Sequence, residues 1–243
     1  MKNSVGMIIQ ARMGSKRLPG KSMLDLAGEP LVGRILERVK RCQELDEIIL
    51  AIPNTVSNNI LEELGRKYSV KVFRGSEENL LERYYYAATY YKIKTIVRLP
   101  ADNPTPEPKE IDKIIKHHLS KNPYGFSSNL CEISQSGYPD GIGAEVFSTF
   151  LLSELIRGKR KYISKEHIHM NFIDYEKSEA IDPNSCPIST IKCPQSYARP
   201  DLILDVNTIE QYYYMKNLYE ELYPISNKFT IEDIIKWNDN CKI

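Results

Sequence analysis

The sequence predicts an α/β protein with a Rossmann-like, mostly parallel central sheet flanked by helices. Three observations carry that prediction. Apolar runs of strand length alternate with stretches of helical spacing through the first half of the chain. The strand–helix unit recurs about every 25 residues with short connections, as parallel βαβ units require. The 243 residues, 42% hydrophobic and 27% charged, can bury a sizeable core and exclude disordered, collagen-like and repeat-fibre chains.

Val5-Gly-Met-Ile-Ile9 opens the series as a strand buried on both faces, hence uniformly apolar rather than alternating. A polar loop with Gly14, Pro19 and Gly20 follows. Leu31, Val32, Ile35, Leu36 and Val39 have helical spacing, and Pro30 suits a first-turn position. Glu47 to Ile52 is a second strand, and Ile60, Leu61 and Leu64 mark a second helix. Val70 to Phe73, Leu80 to Tyr91, Thr95 to Leu99 and Ile111 to Leu119 continue as strand, helix, strand, helix.

After Asn122 the rhythm changes. Tyr124 to Ser128 and Ile142 to Val146 read as strands on either side of a loop at 129–141. Helices are expected near 147–157 and 161–171, strand-like pieces near 188–193 and 201–206, and helices near 207–222 and 230–238. A single domain over 1–243, with an inserted excursion at 129–175, is the simplest organisation. His117 and His118 read as surface residues. The sixteen tyrosines, including runs at 84–86 and 212–214, read as helix packing.

Composition also limits function. A net charge of +1, with no basic–aromatic interleaving, argues against a nucleic-acid partner. No run approaches the ~18–20 apolar residues of a membrane span. The chain opens without a signal-peptide pattern, and five cysteines with no CxxC pair suggest no disulfide framework. It therefore reads as reduced and cytoplasmic. The charge balance is local: nine Lys/Arg against three acids from Met1 to Arg41, and four Lys against eight acids from Asp201 to Ile243. An anion site near one end and a cation site near the other match this asymmetry, and so do solvated charged faces.

The strongest chemical signal is Gln10-Ala-Arg-Met-Gly-Ser-Lys-Arg-Leu-Pro-Gly-Lys21, directly after the first strand. Ligands bind at the carboxyl ends of strands in open α/β sheets. Gly14 and Gly20 allow close backbone approach to an anion, and Arg12, Lys16, Arg17 and Lys21 supply cations with no acid among them. The set suits a triphosphate, although its composition also fits a basic surface loop. GxxxxGK[ST] and GxGxxG are both absent, so it is neither a Walker A loop nor a dinucleotide fingerprint. Asp102 after the fourth strand and Asp205 after Leu202-Ile-Leu204 could hold Mg²⁺, which commonly takes one or two carboxylates plus substrate phosphates. Either aspartate could instead cap the helix that follows it.

Ile8-Ile-Gln-Ala-Arg-Met-Gly-Ser-Lys-Arg-Leu-Pro-Gly-Lys21 resembles the opening of cytidylyltransferases of the spore-coat polysaccharide type, relatives of acylneuraminate and 3-deoxy-manno-octulosonate cytidylyltransferases. Gly75-Ser-Glu-Glu-Asn-Leu-Leu-Glu-Arg-Tyr-Tyr85, Arg98-Leu-Pro-Ala-Asp-Asn-Pro104, Tyr138 to Phe147, Glu166-His167 and Leu204-Asp-Val-Asn-Thr208 resemble further family segments in the same order. The last reads Asp-Val-Asn-Thr and departs from the family pattern.

The resemblance implies the nucleotide-diphospho-sugar transferase fold and CMP transfer from CTP to a small-molecule acceptor, with Mg²⁺ on Asp102 and Asp205. It implies catalytic roles for Arg12, Lys21, Asp102 and Asp205, and nucleotide contacts from Gln10, Ala11, Arg12, Gly14, Ser15, Lys21, Glu78, Asn79 and Asp102. Arg83 lies in the same nucleobase segment, where helix capping by Ser76 or Asn79 competes with base contact. Arg98, Asp140, Gly141, Glu145 and His167 fall where the family's acceptor pocket is expected. Related enzymes dimerise through the excursion. The apolar Phe147, Phe150, Leu151, Leu152, Leu155 and Ile156 suggest a helix crossing to a partner and bringing His167 near an active site. A uridylyl- or guanylyltransferase and a silent nucleotide-binding module are the alternatives, and no general base stands out.

Overall fold

A computed structural model describes residues 4–130, 133, 135–160, 163–174 and 176–241. Strands β1 (Val5–Gln10), β2 (Glu47–Pro53), β3 (Lys71–Gly75) and β4 (Thr95–Pro100) pair in parallel in the order β3-β2-β1-β4. Three short strands, β5 (Phe126–Ser128), β6 (Glu145–Ser148) and β7 (Ile188–Ser189), extend the sheet beyond β4 in the order β6-β5-β7. Among these seven strands, β6 alone runs antiparallel to its neighbours. The predicted mostly parallel sheet is therefore present. Of the predicted strand at 201–206, Ile203 makes a single parallel bridge to Asp140.

Helices cover both faces. Leu31–Val39 (α1), Asn59–Lys67 (α2), Leu80–Tyr90 (α3), Pro108–Lys121 (α4), Thr149–Ile156 (α5), Ile209–Leu222 (α6) and Ile231–Cys241 (α7) follow the predicted spacing. On β1, Met7 and Ile9 pack into a cluster with α1, α4 and α6, whereas Ile8 packs with α3 and α5. Each fully buried side chain of this kind stabilises the fold by about 1.5–3 kcal/mol, so uniformly apolar strands are held between two helix layers. Among the described residues, no helix is long and apolar enough to cross a membrane.

Several local expectations change. His118 is fully buried, and its Nδ1 lies 3.0 Å from the Ser127 hydroxyl; burial pulls its pKa down to about 4. His117 is half-buried against Ser189. Of the helix expected at 161–171, only a 3₁₀ turn at Ile168–Asn171 forms, with residues 161 and 162 outside the described set. Asn171 fills the remaining backbone bonds: its Oδ1 accepts from the N–H groups of Ile163 and Ser164. On α5, Leu151, Leu152 and Leu155 bury into the cluster under α3, leaving Phe150 64% exposed. The apolar residues that pointed to a partner mostly pack within the chain itself.

Candidate active site

Strand order reverses at β1, which has β2 on one side and β4 on the other. The crevice at such a switch point lies outside the strands' carboxyl ends. A cleft of about 1310 Å³ opens there, lined by the loop after β1, Asp102 after β4, the 138–145 segment, Glu166 to Met170, and Asp205.

Buried Leu18 anchors the loop after β1, and Asn58 Oδ1 accepts the Met13 N–H at 2.9 Å. The Ser22 hydroxyl donates to the Arg12 carbonyl at 3.0 Å, and Ser15 Oγ accepts the Leu18 N–H at 3.3 Å. Gly20 sits at φ +71°, the left-handed region that favours glycine. These ties turn Lys21 inward. Its Nζ lies 3.2 Å from Asp102 Oδ2 and 3.3 Å from Asn207 Oδ1. Arg17 donates to the same Asn207 oxygen at 2.7 Å. Arg12 instead bonds Glu166 Oε1 at 2.9 Å, linking this loop to the strap that carries His167.

Three carboxylates converge on Lys21's side of the cleft. The Val206 N–H donates to the Asp102 carbonyl at 2.8 Å, which draws Asp205 alongside β4. Asp205 accepts hydrogen bonds from Asn207 Nδ2 and, at 3.1 Å, from Gln211 Nε2. Gly141, at φ +94°, lies against Leu204 and Asp205; an added Cβ there would approach the Leu204 carbonyl carbon to 3.1 Å. The glycine's role is thus to let Asp140 stand beside Asp205, and it does not itself line the cleft. Partial desolvation in the cleft, then the Asp205 and Asp102 charges, push the cleft-facing Asp140 carboxyl up to about 6. Burial and the Asp102 charge raise Asp205 as well.

Among the described residues, no three His, Cys, Asp or Glu side chains are grouped closely enough to hold a metal. The paired carboxylates Asp102 and Asp205 nevertheless suit a divalent cation: each feels the other's charge, and the cleft leaves room for substrate phosphates to complete the coordination.

The floor of the cleft is a buried ion pair. Arg98 and Glu145 are cross-strand partners in the β4–β6 register, and Arg98 Nη1 donates to Glu145 Oε1 at 2.6 Å. Burial alone would raise the Glu145 pKa, yet adjacent Arg98, helped by His169, holds it below the usual range. Gln10 Oε1 accepts from Tyr84 at 2.7 Å and from Arg98 Nε at 3.2 Å, which fixes the orientation of its amide. Tyr84 therefore does more than pack a helix. Glu145 Oε2 is buried without a partner. His167 lines its own chain's cleft, where partial burial and then His169 lower its pKa.

Glu78 lines the cleft and Asn79 does not: its side chain caps α3 by accepting the Glu82 N–H at 3.1 Å. Of the two readings of Asn79, base contact and helix capping, the cap is the one formed here. Arg83 is 3% exposed and lines the cleft, with Nε and Nη1 unpaired; burial, with a further push from Arg12, brings its pKa down to about 10. Its position in the Gly75–Tyr85 segment was its only sequence signal. Asn207 and His169 had none, because the former departs from the family pattern and the latter depends on a strap that is not helical.

A family model described as "Cytidylyltransferase" matches residues 7–221. The chain is 30% identical over 227 residues to the Bacillus subtilis spore coat polysaccharide biosynthesis protein SpsF, covering 90% of this chain and 88% of that one. A solved cytidylyltransferase from Leptospira borgpetersenii superposes with a TM-score of 0.83 at 27% identity, covering 98% of this chain and 95% of that one. A CMP:2-keto-3-deoxy-manno-octonic acid synthetase solved with CTP has a TM-score of 0.65 at 14% identity, covering 90% and 99%, a likeness of fold.

Proposed function

The chain belongs to the cytidylyltransferase family, and from that premise we propose that it transfers CMP from CTP to a small-molecule acceptor, releasing pyrophosphate, with Mg²⁺ bound by Asp102 and Asp205. The observation that carries this reading is the Lys21 ammonium between Asp102 and Asn207 at the switch point, with Arg17 on the same amide. Lys21 and Arg12, with a lesser share from exposed Arg17, neutralise charge on the departing pyrophosphate, so positioning and electrostatics supply most of the catalysis. When bound, Mg²⁺ acts as a Lewis acid toward phosphoryl oxygens. The acceptor oxygen attacks the α-phosphorus in line as the bond to the β-phosphate oxygen breaks.

Arg83 has donors only, so its unpaired N–H groups read an acceptor edge such as the carbonyl and ring nitrogen of cytosine. Arg98, Asp140, Glu145 and His167 line the acceptor's part of the cleft. The spore coat polysaccharide biosynthesis relative supports a polysaccharide-building sugar as acceptor. Free thiols at Cys42, Cys186 and Cys193 support a reducing, cytoplasmic setting.

A homodimer stays in the proposal on the exposed apolar Phe150 and Ile163 of the excursion and Ile181, which follows a short antiparallel pair, Ile173–Asp174 with Glu179–Ala180. Light scattering tests it, and a fully active monomer at micromolar concentration removes it. The central test is single-turnover pyrophosphate release with CTP, UTP or GTP, Mg²⁺ and a panel of sugar acceptors. Release with CTP above the others is expected. Nucleotide binding without release, or preference for UTP or GTP, overturns the reading.

A further inference from the structure

The geometry points to Glu110, outside the cleft, as a positioning residue for the carboxylate set, a role that rests on the proposed CMP transfer. Glu110 stands in the first turn of α4 and is 2% exposed. Its Oε2 accepts the Tyr138 hydroxyl at 2.6 Å. Its Oε1 accepts the Tyr197 hydroxyl at 2.5 Å and Lys113 Nζ at 2.7 Å. Tyr138 lies two residues before Asp140, and Tyr197 opens the segment leading to Asp205.

Those two segments run side by side. The Cys193 N–H donates to the Ser136 carbonyl at 2.8 Å, the Asp140 N–H to Leu202 at 3.0 Å, and the Leu204 N–H to Asp140 at 3.1 Å. The third carboxylate, Asp102, precedes α4 on the same connection. One buried side chain therefore ties α4 to both segments that bring Asp140 and Asp205 to Asp102.

A carboxylate is the right group for this position. Two tyrosine donors and an ammonium need acceptors only, and an ionised carboxylate accepts at both oxygens. An amide offers one acceptor and turns an N–H₂ toward a hydroxyl that should donate. Burial, followed by the bond to Glu110, pushes both phenols well above their ordinary pKa, so they remain donors. The clamp works against a load, since the Asp140 and Asp205 charges repel each other and Asp102.

The test is Mn²⁺ binding to the whole chain by calorimetry, without substrates, for wild type, Glu110→Gln, Tyr138→Phe and Leu155→Ala. The last variant destabilises the core beneath α5, on the other side of the sheet. Removing a group that orients metal ligands weakens metal affinity about 10- to 100-fold, which is expected for Glu110→Gln, with a smaller loss for Tyr138→Phe. Leu155→Ala should melt lower yet bind Mn²⁺ like wild type. Affinities of both clamp variants within about twofold of wild type, or an equal loss in Leu155→Ala, overturn the role, because general loosening would then explain any effect. If Glu110→Gln does not fold, Tyr138→Phe decides. Wild-type CTP turnover is measured alongside, so failure of the transfer reading is seen separately.

Discussion

Glu145→Ala should be among the most damaging single changes in the cleft. Arg98 is 4% exposed and Glu145 1%, with their oxygen and nitrogen 2.6 Å apart. Burial disfavours the Arg98 charge, but Glu145 raises its pKa, so the guanidinium stays protonated. Deleting the carboxylate strands that charge, with the neutral acceptors Gln10 Oε1 at 3.2 Å and His169 Nδ1 at 3.3 Å left beside it in place of a carboxylate. Breaking one partner of a buried pair costs about 3–5 kcal/mol. In a chain of this length, 1 kcal/mol moves the Tm by about 2–4 °C, so a drop of about 6–20 °C is expected.

Arg98→Met/Glu145→Leu removes both charges and fills the volume, and should recover most of that stability. It should still fail to turn over acceptor, because the polar floor is gone. Differential scanning calorimetry of wild type, Arg98→Met, Glu145→Leu and the double variant closes a mutant cycle, with Glu145→Ala measured alongside. A single alanine variant within about 1 kcal/mol of wild type, or a double variant less stable than either single, would refute the uncompensated-charge argument.

Three further outcomes follow from the same structure. Asp102→Asn should lower kcat about 100-fold or more, with CTP affinity changed less, because a charge needed in the transition state is lost; near-native kcat across a Mg²⁺ titration would remove the metal role. Arg12→Ala and Lys21→Ala should each slow single-turnover release about 100-fold, with smaller losses at exposed Lys16 and Arg17, whereas equal mild losses at all four would indicate a diffuse basic surface. His118, neutral in the fold and depressed from 6.5 to about 4, adds stability that is full above pH 6.5 and declines toward pH 4, a difference of roughly 3 kcal/mol. Urea unfolding of wild type and His118→Asn at pH 7.5 and 4.5 reads this: the wild-type loss should be several times that of the variant.

The apolar runs of β1, β2 and β4 and the spacing in α1 and α4 made the parallel half of the sheet legible, because burial on both faces and helical period are local properties. The loop from Gln10 to Lys21 was legible for the same reason, since all its chemistry lies in one short segment following a strand. Tertiary structure alone decided which distant groups meet. Arg98 finds Glu145 through an antiparallel register, and Asp140 joins Asp102 and Asp205 through one bridge and a glycine contact. His118 is buried because β5 lies against the face of α4 that carries it, and α5 spends its leucines under α3 rather than on a partner. Periodicity tells which face of an element must be covered, and it carries no information about which remote segment covers it. That assignment comes from long-range packing, and with it came the buried charges, the unpaired Arg83 and the clamp at Glu110.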